Sequence, residues 1–173
     1  MNARKRMIET IKQLLDHYSI EHITVDMITS ASDLSKSTFY RYFDDKYALM
    51  QEYYFYEVDH VLSKEGSTFE EMYTNLLIFI KENKNYFREL IRQNKNEDFF
   101  HVFYKSSYKN SVRLIEEHKK SPLSESMKQE VSFFIAGCAY MTEKWIDEDC
   151  QQPCNEFISI IVLCVPENIK PYL

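Results

Sequence analysis

Residues 35–46 carry the side chains best suited to binding chemistry. The run Ser35-Lys36-Ser37-Thr38-Phe39-Tyr40-Arg41-Tyr42-Phe43 supplies short hydroxyl donors and two cations, and Lys46 follows three residues later. On a helix, Phe39 and Phe43 lie four apart and turn to one face. Lys36, Ser37, Thr38, Tyr40 and Arg41 are left for the outer faces, where such groups reach phosphate oxygens and base edges. Lys46 opens the next predicted helix, where backbone N–H groups also favour an anion.

Other constellations are weaker. Glu57-x-x-His60 and Asp98-x-x-His101 have the spacing used in metal-binding bundles, but the further inward carboxylates such a site needs are missing. Cys150 and Cys154 could be half a zinc site, yet no second pair exists. Two inert cysteines near a loop, or a redox-active pair, remain the alternatives for them. No Ser-His-Asp arrangement can be assigned, and the reading calls for no enzyme activity, cofactor or metal.

Composition limits the fold that positions these groups. The 173 residues include only two glycines, Gly66 and Gly137, and four prolines. So few turn residues disfavour a β-sandwich or barrel and exclude a glycine-rich phosphate loop. With 45% hydrophobic and 15% aromatic residues the chain is too apolar to be disordered. No apolar run reaches membrane-spanning length, and the basic start leads into an amphipathic helix rather than a signal peptide. The four cysteines all lie from Cys138 onward, a poor framework for a secreted scaffold, so a cytoplasmic location is expected. The net charge of −6 sits entirely after residue 50, because residues 1–50 balance seven Lys/Arg with seven Asp/Glu. A neutral unit whose cations are clustered can still bind phosphate within a screening length.

The first fifty residues predict three short helices. The first runs from about Asn2 to Tyr18, with Met7, Ile8, Ile11, Leu14 and Leu15 on one face. Thr24 caps a second, which breaks at Ser32-Asp33, where Asp33 tolerates a left-handed corner. Ser35 caps the third, Lys36 to Tyr42, and Asp44 or Asp45 caps a fourth beginning at Lys46. Two short helices about a tight corner have helix-turn-helix geometry, with the third presented to a major groove.

Residues 24–49 resemble the DNA-binding segment of the TetR family. Thr24, Val25, Ile28, Ser35, Thr38, Phe39, Tyr40, Tyr42, Phe43, Lys46 and Leu49 match that family's pattern. Thr29 stands where the pattern has alanine, Asp33 where it has the turn glycine, and Ser37 where glycine is common. The resemblance implies phosphate contacts by Thr24, Tyr40 and Lys46, and base reading by Lys36, Ser37, Thr38 and Arg41. It implies an all-α protein: an N-terminal three-helix helix-turn-helix DNA-binding domain, residues 1–47, followed by a helical ligand-sensing and dimerisation domain, residues 48–173.

In the second part, helices are expected from Lys46 to Leu62 with Gly66 as a stop, Thr68 to Asn83, from Tyr86, Glu97 to Lys119, and Ser126 to Asp147. An apolar helix follows Pro153. Aromatic density suggests an effector pocket at Phe79, Tyr86, Phe100, His101, Phe103 and Tyr104. The last two helices suggest a homodimer through Phe134, Cys138, Met141, Trp145, Phe157 and Ile161. The expected function is a dimeric repressor released from a palindromic duplex operator by a small-molecule effector. The alternative is a helical protein-interaction module that no longer binds DNA specifically.

Overall fold

The computed structural model describes residues 2–62, 68–93 and 99–173. Among them the chain is helical throughout: α1 (Ala3–Leu15), α2 (Val25–Ser32), α3 (Lys36–Tyr42), α4 (Lys46–Leu62), α5 (Phe69–Glu82), α6 (Lys84–Gln93), α7 (Phe99–Lys119), α8 (Glu125–Asp147) and α9 (Cys154–Leu163), with a 3₁₀ turn at Lys170–Tyr172. The chain divides into two units, Met1–Glu57 and Val58–Leu173. No helix among the described residues is long and apolar enough to cross a membrane.

Helix starts in the first unit follow from side-chain caps. Asn2 accepts from the Lys5 N–H, Thr24 from Met27 and Ser35 from Thr38. Asp45, rather than Asp44, starts α4: its Oδ1 accepts from the Tyr47 and Ala48 N–H groups, both at 2.9 Å. Each such cap stabilises a helix by about 1 kcal/mol. The corner after α2 is left-handed at Asp33, with φ 52° and ψ 49°. Arg6 holds it by donating to the Ser32 carbonyl at 2.6 Å. Thr29 is tolerated inside α2 because its buried hydroxyl donates to the Val25 carbonyl at 2.9 Å.

The core of this unit joins Met7, Ile8 and Ile11 of α1 to Ile28 of α2, Phe39 of α3 and Leu49 of α4, all buried. Arg4–Glu52 at 2.7 Å and Lys12–Glu57 at 3.1 Å add ion pairs between α1 and α4. The first helix is shorter than its periodicity predicts. It stops at Leu15, where the His17 and Tyr18 N–H groups both turn back to the Leu14 carbonyl. Tyr18 is left exposed, so the apolar pattern there had no core to face.

In the second unit α7 packs along α8, α5 against α9, and α6 against α8. Its buried centre includes Leu76, Leu77 and Ile80 of α5, Phe103 and Ile115 of α7, and Val131, Ile135 and Ala139 of α8. Thr68 and Glu71 form a reciprocal capping box at the start of α5. Asn83 alone separates α5 from α6, so α6 begins at Lys84, two residues before the predicted Tyr86. α8 gains Glu125 at its start because Ser124 is its cap. The predicted stop at Gly66 and the predicted helix start at Glu97 lie outside the described residues.

The corner between α8 and α9 places Asp149 and Cys150 consecutively at positive φ, 62° and 53°. Asp149 is fixed there from α6: Lys84 Nζ and Arg88 Nη1 each donate to its carboxylate at 2.9 Å. The first of these bonds is the main reason its carboxyl is held below the ordinary aspartate range. Trp145 stacks on Phe157 with ring centroids 5.4 Å apart and donates its Nε1–H to the Gln152 carbonyl. Both residues are therefore occupied in closing this corner.

Candidate nucleic-acid interface

α3 is seven residues long and has two different faces. Phe39 is fully buried and Phe43 nearly so, with their rings 5.8 Å apart. This pair seats the helix. Opposite it, Ser37, Tyr40 and Arg41 are exposed, Tyr40 to 56%. Arg41 lies over the ring of Tyr42 at 5.1 Å, a cation–π contact that restricts the guanidinium without burying it. Thr38 is half-buried, and its hydroxyl is 2.9 Å from that of Ser35.

Lys36 is exposed but engaged. Its Nζ lies 2.7 Å from Asp26 Oδ1 at the start of α2. The hydrogen bond to Asp26, followed by the charge of the same carboxylate, raises the Lys36 pKa above its ordinary value. A base contact by Lys36 would exchange this ion pair for one with DNA. Both partners are well exposed, so that exchange is easy. Thr24 sits at the exposed end of α2, where its hydroxyl already accepts from the Met27 N–H and has a donor left for a phosphate oxygen.

Lys46, expected at a phosphate, is engaged within the chain. Its ammonium donates to three backbone carbonyls, Ile20 at 2.9 Å, Glu21 at 3.3 Å and Ile23 at 2.8 Å. An ammonium has three N–H donors, so all are directed into the 20–23 loop. This fastens the segment before α2 to the start of α4. Neither Asp26 for Lys36 nor these carbonyls for Lys46 could be found from local sequence, since the partners are 10 and 23–26 residues away.

The six aromatic-region residues differ in their surroundings. Tyr86 and Phe103 are buried, Phe79, Phe100 and Tyr104 are half-buried, and His101 faces solvent. Phe79 packs edge-on to Phe87, whereas Phe100, Tyr104 and Tyr108 stack in series along α7. None of the six lines either of two hollows in the second unit. One, of about 10 Å³, lies among Phe69, Tyr73, Ser107, Asn110, Ser111 and Ile135. It has room for one water. The Ser107 hydroxyl is buried there with no hydrogen-bond partner among the described residues.

The other hollow is an open apolar groove of about 480 Å³ between α8 and α9. Five of the six residues expected at a dimer interface line it: Phe134, Cys138, Met141, Phe157 and Ile161. Of these only Met141 is exposed; the others form the groove floor and are buried within the chain. Trp145 is not part of it. The residues that stand out from this surface are ones the sequence reading did not select: Phe133 (83% exposed), Tyr140, Ile160 and Leu163 (80%). α8 is apolar on two sides, and only burial in the folded chain shows which side is already covered. Among the described residues no three His, Cys, Asp or Glu are placed to hold a metal.

Comparison with known proteins agrees with this division. Residues 7–53 match the model described as bacterial regulatory proteins, tetR family, and residues 67–165 match one described as a transcriptional regulator C-terminal region. A comparison with curated protein sequences gave no match. Among solved structures, a chain titled dihydroxyacetone kinase operon activator DhaS superposes with a TM-score of 0.67 at 21% identity, covering 98% of this chain and 97% of that one. That likeness is one of fold. Two family models spanning most of the sequence, the first of them containing the capped and core-anchored α3, place this chain in the TetR family of DNA-binding transcriptional regulators.

Proposed function

We propose that this regulator acts in the cytoplasm as a homodimer on a palindromic operator. Residues 1–47 contact DNA, and residues 48–173 pair the chains and respond to an effector. The observation that carries the proposal is the two-faced α3, anchored by Phe39 and Phe43, with Ser37, Tyr40 and Arg41 outward. Two such helices on a two-fold axis would enter successive major grooves about 34–36 Å apart. Arg41, Ser37, Thr38 and Lys36 read bases, and Tyr40 and Thr24 hold phosphates. The apolar α8–α9 groove with its protruding Phe133 and Leu163 supports pairing, since an uncovered surface of this kind marks an interface.

In this reading the bound dimer represses, and a small molecule that favours a second arrangement of the C-terminal region releases it. The Ser107 hydroxyl, without a partner among the described residues, supports a core that a second arrangement could satisfy better. The likeness to a chain titled an operon activator supports a second reading, in which the bound dimer activates. Selection of duplexes from a random pool, followed by binding across a salt series, tests the DNA reading. A palindromic consensus with a steep salt slope is expected, and absence of any preferred duplex would favour the protein-interaction alternative. A reporter behind the selected site, with the chain present or deleted, separates repression from activation.

A further inference from the structure

The outward face of α8 carries a pattern that specifies how two copies would meet. Gly137 is exposed, and a Cβ placed there would meet nothing within 4 Å. Seven residues before it is Glu130, seven after it is Lys144, and Phe133 and Met141 lie four on either side. At 100° per residue all five fall within about 40° of one line along the helix. Glu130 lines the groove with one carboxylate oxygen accepting from Asn168 Nδ2 at 3.1 Å. Its other oxygen, Oε2, is buried and has no hydrogen-bond partner among the described residues. Turning that carboxylate out to a donor would satisfy it.

Resting on the dimer reading above, we propose that α8 crosses the partner's α8 antiparallel at Gly137, so that Glu130 pairs with Lys144 of the partner subunit, twice. A two-fold axis through Gly137 brings each residue opposite the one equally far on the other side. Glu130 then faces the partner's Lys144, and Phe133 faces the partner's Met141. A parallel crossing would instead set carboxylate on carboxylate and ammonium on ammonium. The exposed side chains favour a second copy over a small apolar ligand as the occupant. A ligand in the groove would leave Tyr140 and Leu163 in water, whereas a surface carrying both knobs and a groove can cover both at once. Among the described residues Lys144 is paired with Glu148 alone, at 3.7 Å and with both side chains more than half exposed, so it can turn to the partner. At the shallow crossing usual in helix bundles, about 20°, the pair stays within reach of a lysine stem.

Charge reversal in the full chain tests the register, read by sedimentation equilibrium. Glu130→Lys and Lys144→Glu should each weaken the dimer at least tenfold. The double variant should return to within threefold of the parent, because each reversed charge again meets its opposite. Gly137→Leu should weaken the dimer at least tenfold with unchanged helicity, since the space around it is open within one chain. Carbodiimide cross-linking of mixed light and heavy chains gives a second measure that needs no variant. Glu130 and Lys144 are about 21 Å apart along one α8, so a zero-length Glu130–Lys144 link must join two chains. A parent dimer that ignores Gly137→Leu and both reversals, or that lacks this cross-link, overturns the register alone. A parent chain that stays monomeric overturns the dimer reading with it.

Discussion

Replacing Lys46 by methionine separates two roles for the same cation. The structure assigns its three N–H donors to the carbonyls of Ile20, Glu21 and Ile23. Hydrogen bonds from a charged donor contribute about 1.5–3 kcal/mol each when well formed and sheltered. Here the 3.3 Å bond to Glu21 is weak, and Glu21 and His22 are exposed, so water can replace much of what is lost. Two good bonds in a half-exposed setting give about 2 kcal/mol for Lys46→Met, a sizeable fraction of a domain's total stability. The loss should appear as a lower urea midpoint and as faster amide exchange in residues 16–24, ahead of α5–α9. Lys46→Arg should not restore it, because a planar guanidinium cannot direct three donors into a cradle shaped for an ammonium. If Lys46 instead grips phosphate, Arg would rescue binding, and Met would leave the urea midpoint unchanged. The slope of log K against log salt would then drop by about 0.9 per chain. That combination would refute the assignment made here.

Three further outcomes follow from named contacts. Arg41→Ala should relax discrimination at one operator position by about 1–3 kcal/mol, whereas Tyr40→Phe should weaken all duplexes alike; titrations on selected and random duplexes would show equal losses if both were phosphate contacts. Asp149→Asn keeps a side chain that tolerates positive φ but loses the charge held by Lys84 and Arg88. A carboxyl whose pKa is depressed on folding contributes stability above its unfolded pKa and loses it as pH falls through the folded one. The urea midpoints of parent and variant should therefore differ at pH 7 and converge below the ordinary aspartate range; a difference constant with pH would contradict the ion-pair account. Burial, as the main cause, pushes the Cys138 thiol up to about 12 and that of Cys150 up to about 11. Iodoacetamide at pH 8 should label both only after denaturation, as followed by mass spectrometry, and prompt labelling of Cys150 in the folded chain would revive a redox role for that corner.

The features legible in the sequence are those whose cause is local. Thr24 and Ser35 could be read as caps because a hydroxyl three residues before an N–H closes that bond whatever surrounds it. Asp33 could be read as a left-handed corner for the same kind of reason. Phe39 in α3 and Phe43 at its C-cap point inward because they are the two large apolar side chains at one-turn spacing in this short segment. Features set by distant partners were not legible. Tyr18 continues the apolar period of α1, but the backbone has already turned back at Leu14. The Lys46 ammonium looked free because its carbonyl partners precede it by more than twenty residues.

α8 shows why apolar periodicity alone does not tell a covered side of a helix from an open one. Val131, Ile135, Cys138 and Trp145 occupy one side, and Phe133, Tyr140 and Met141 another, and both sides satisfy a helical repeat. The two sides compete for the same core, and only one of them is buried in the folded chain. What distinguishes the uncovered side is its polar punctuation. Glu130, Gly137 and Lys144 recur every seven residues along it, two opposite charges about a residue with no side chain. A helix that only had to be buried in its own chain would have no use for that symmetry. A helix that meets its own copy does, because a two-fold axis turns an acid before the glycine into the partner of a base after it.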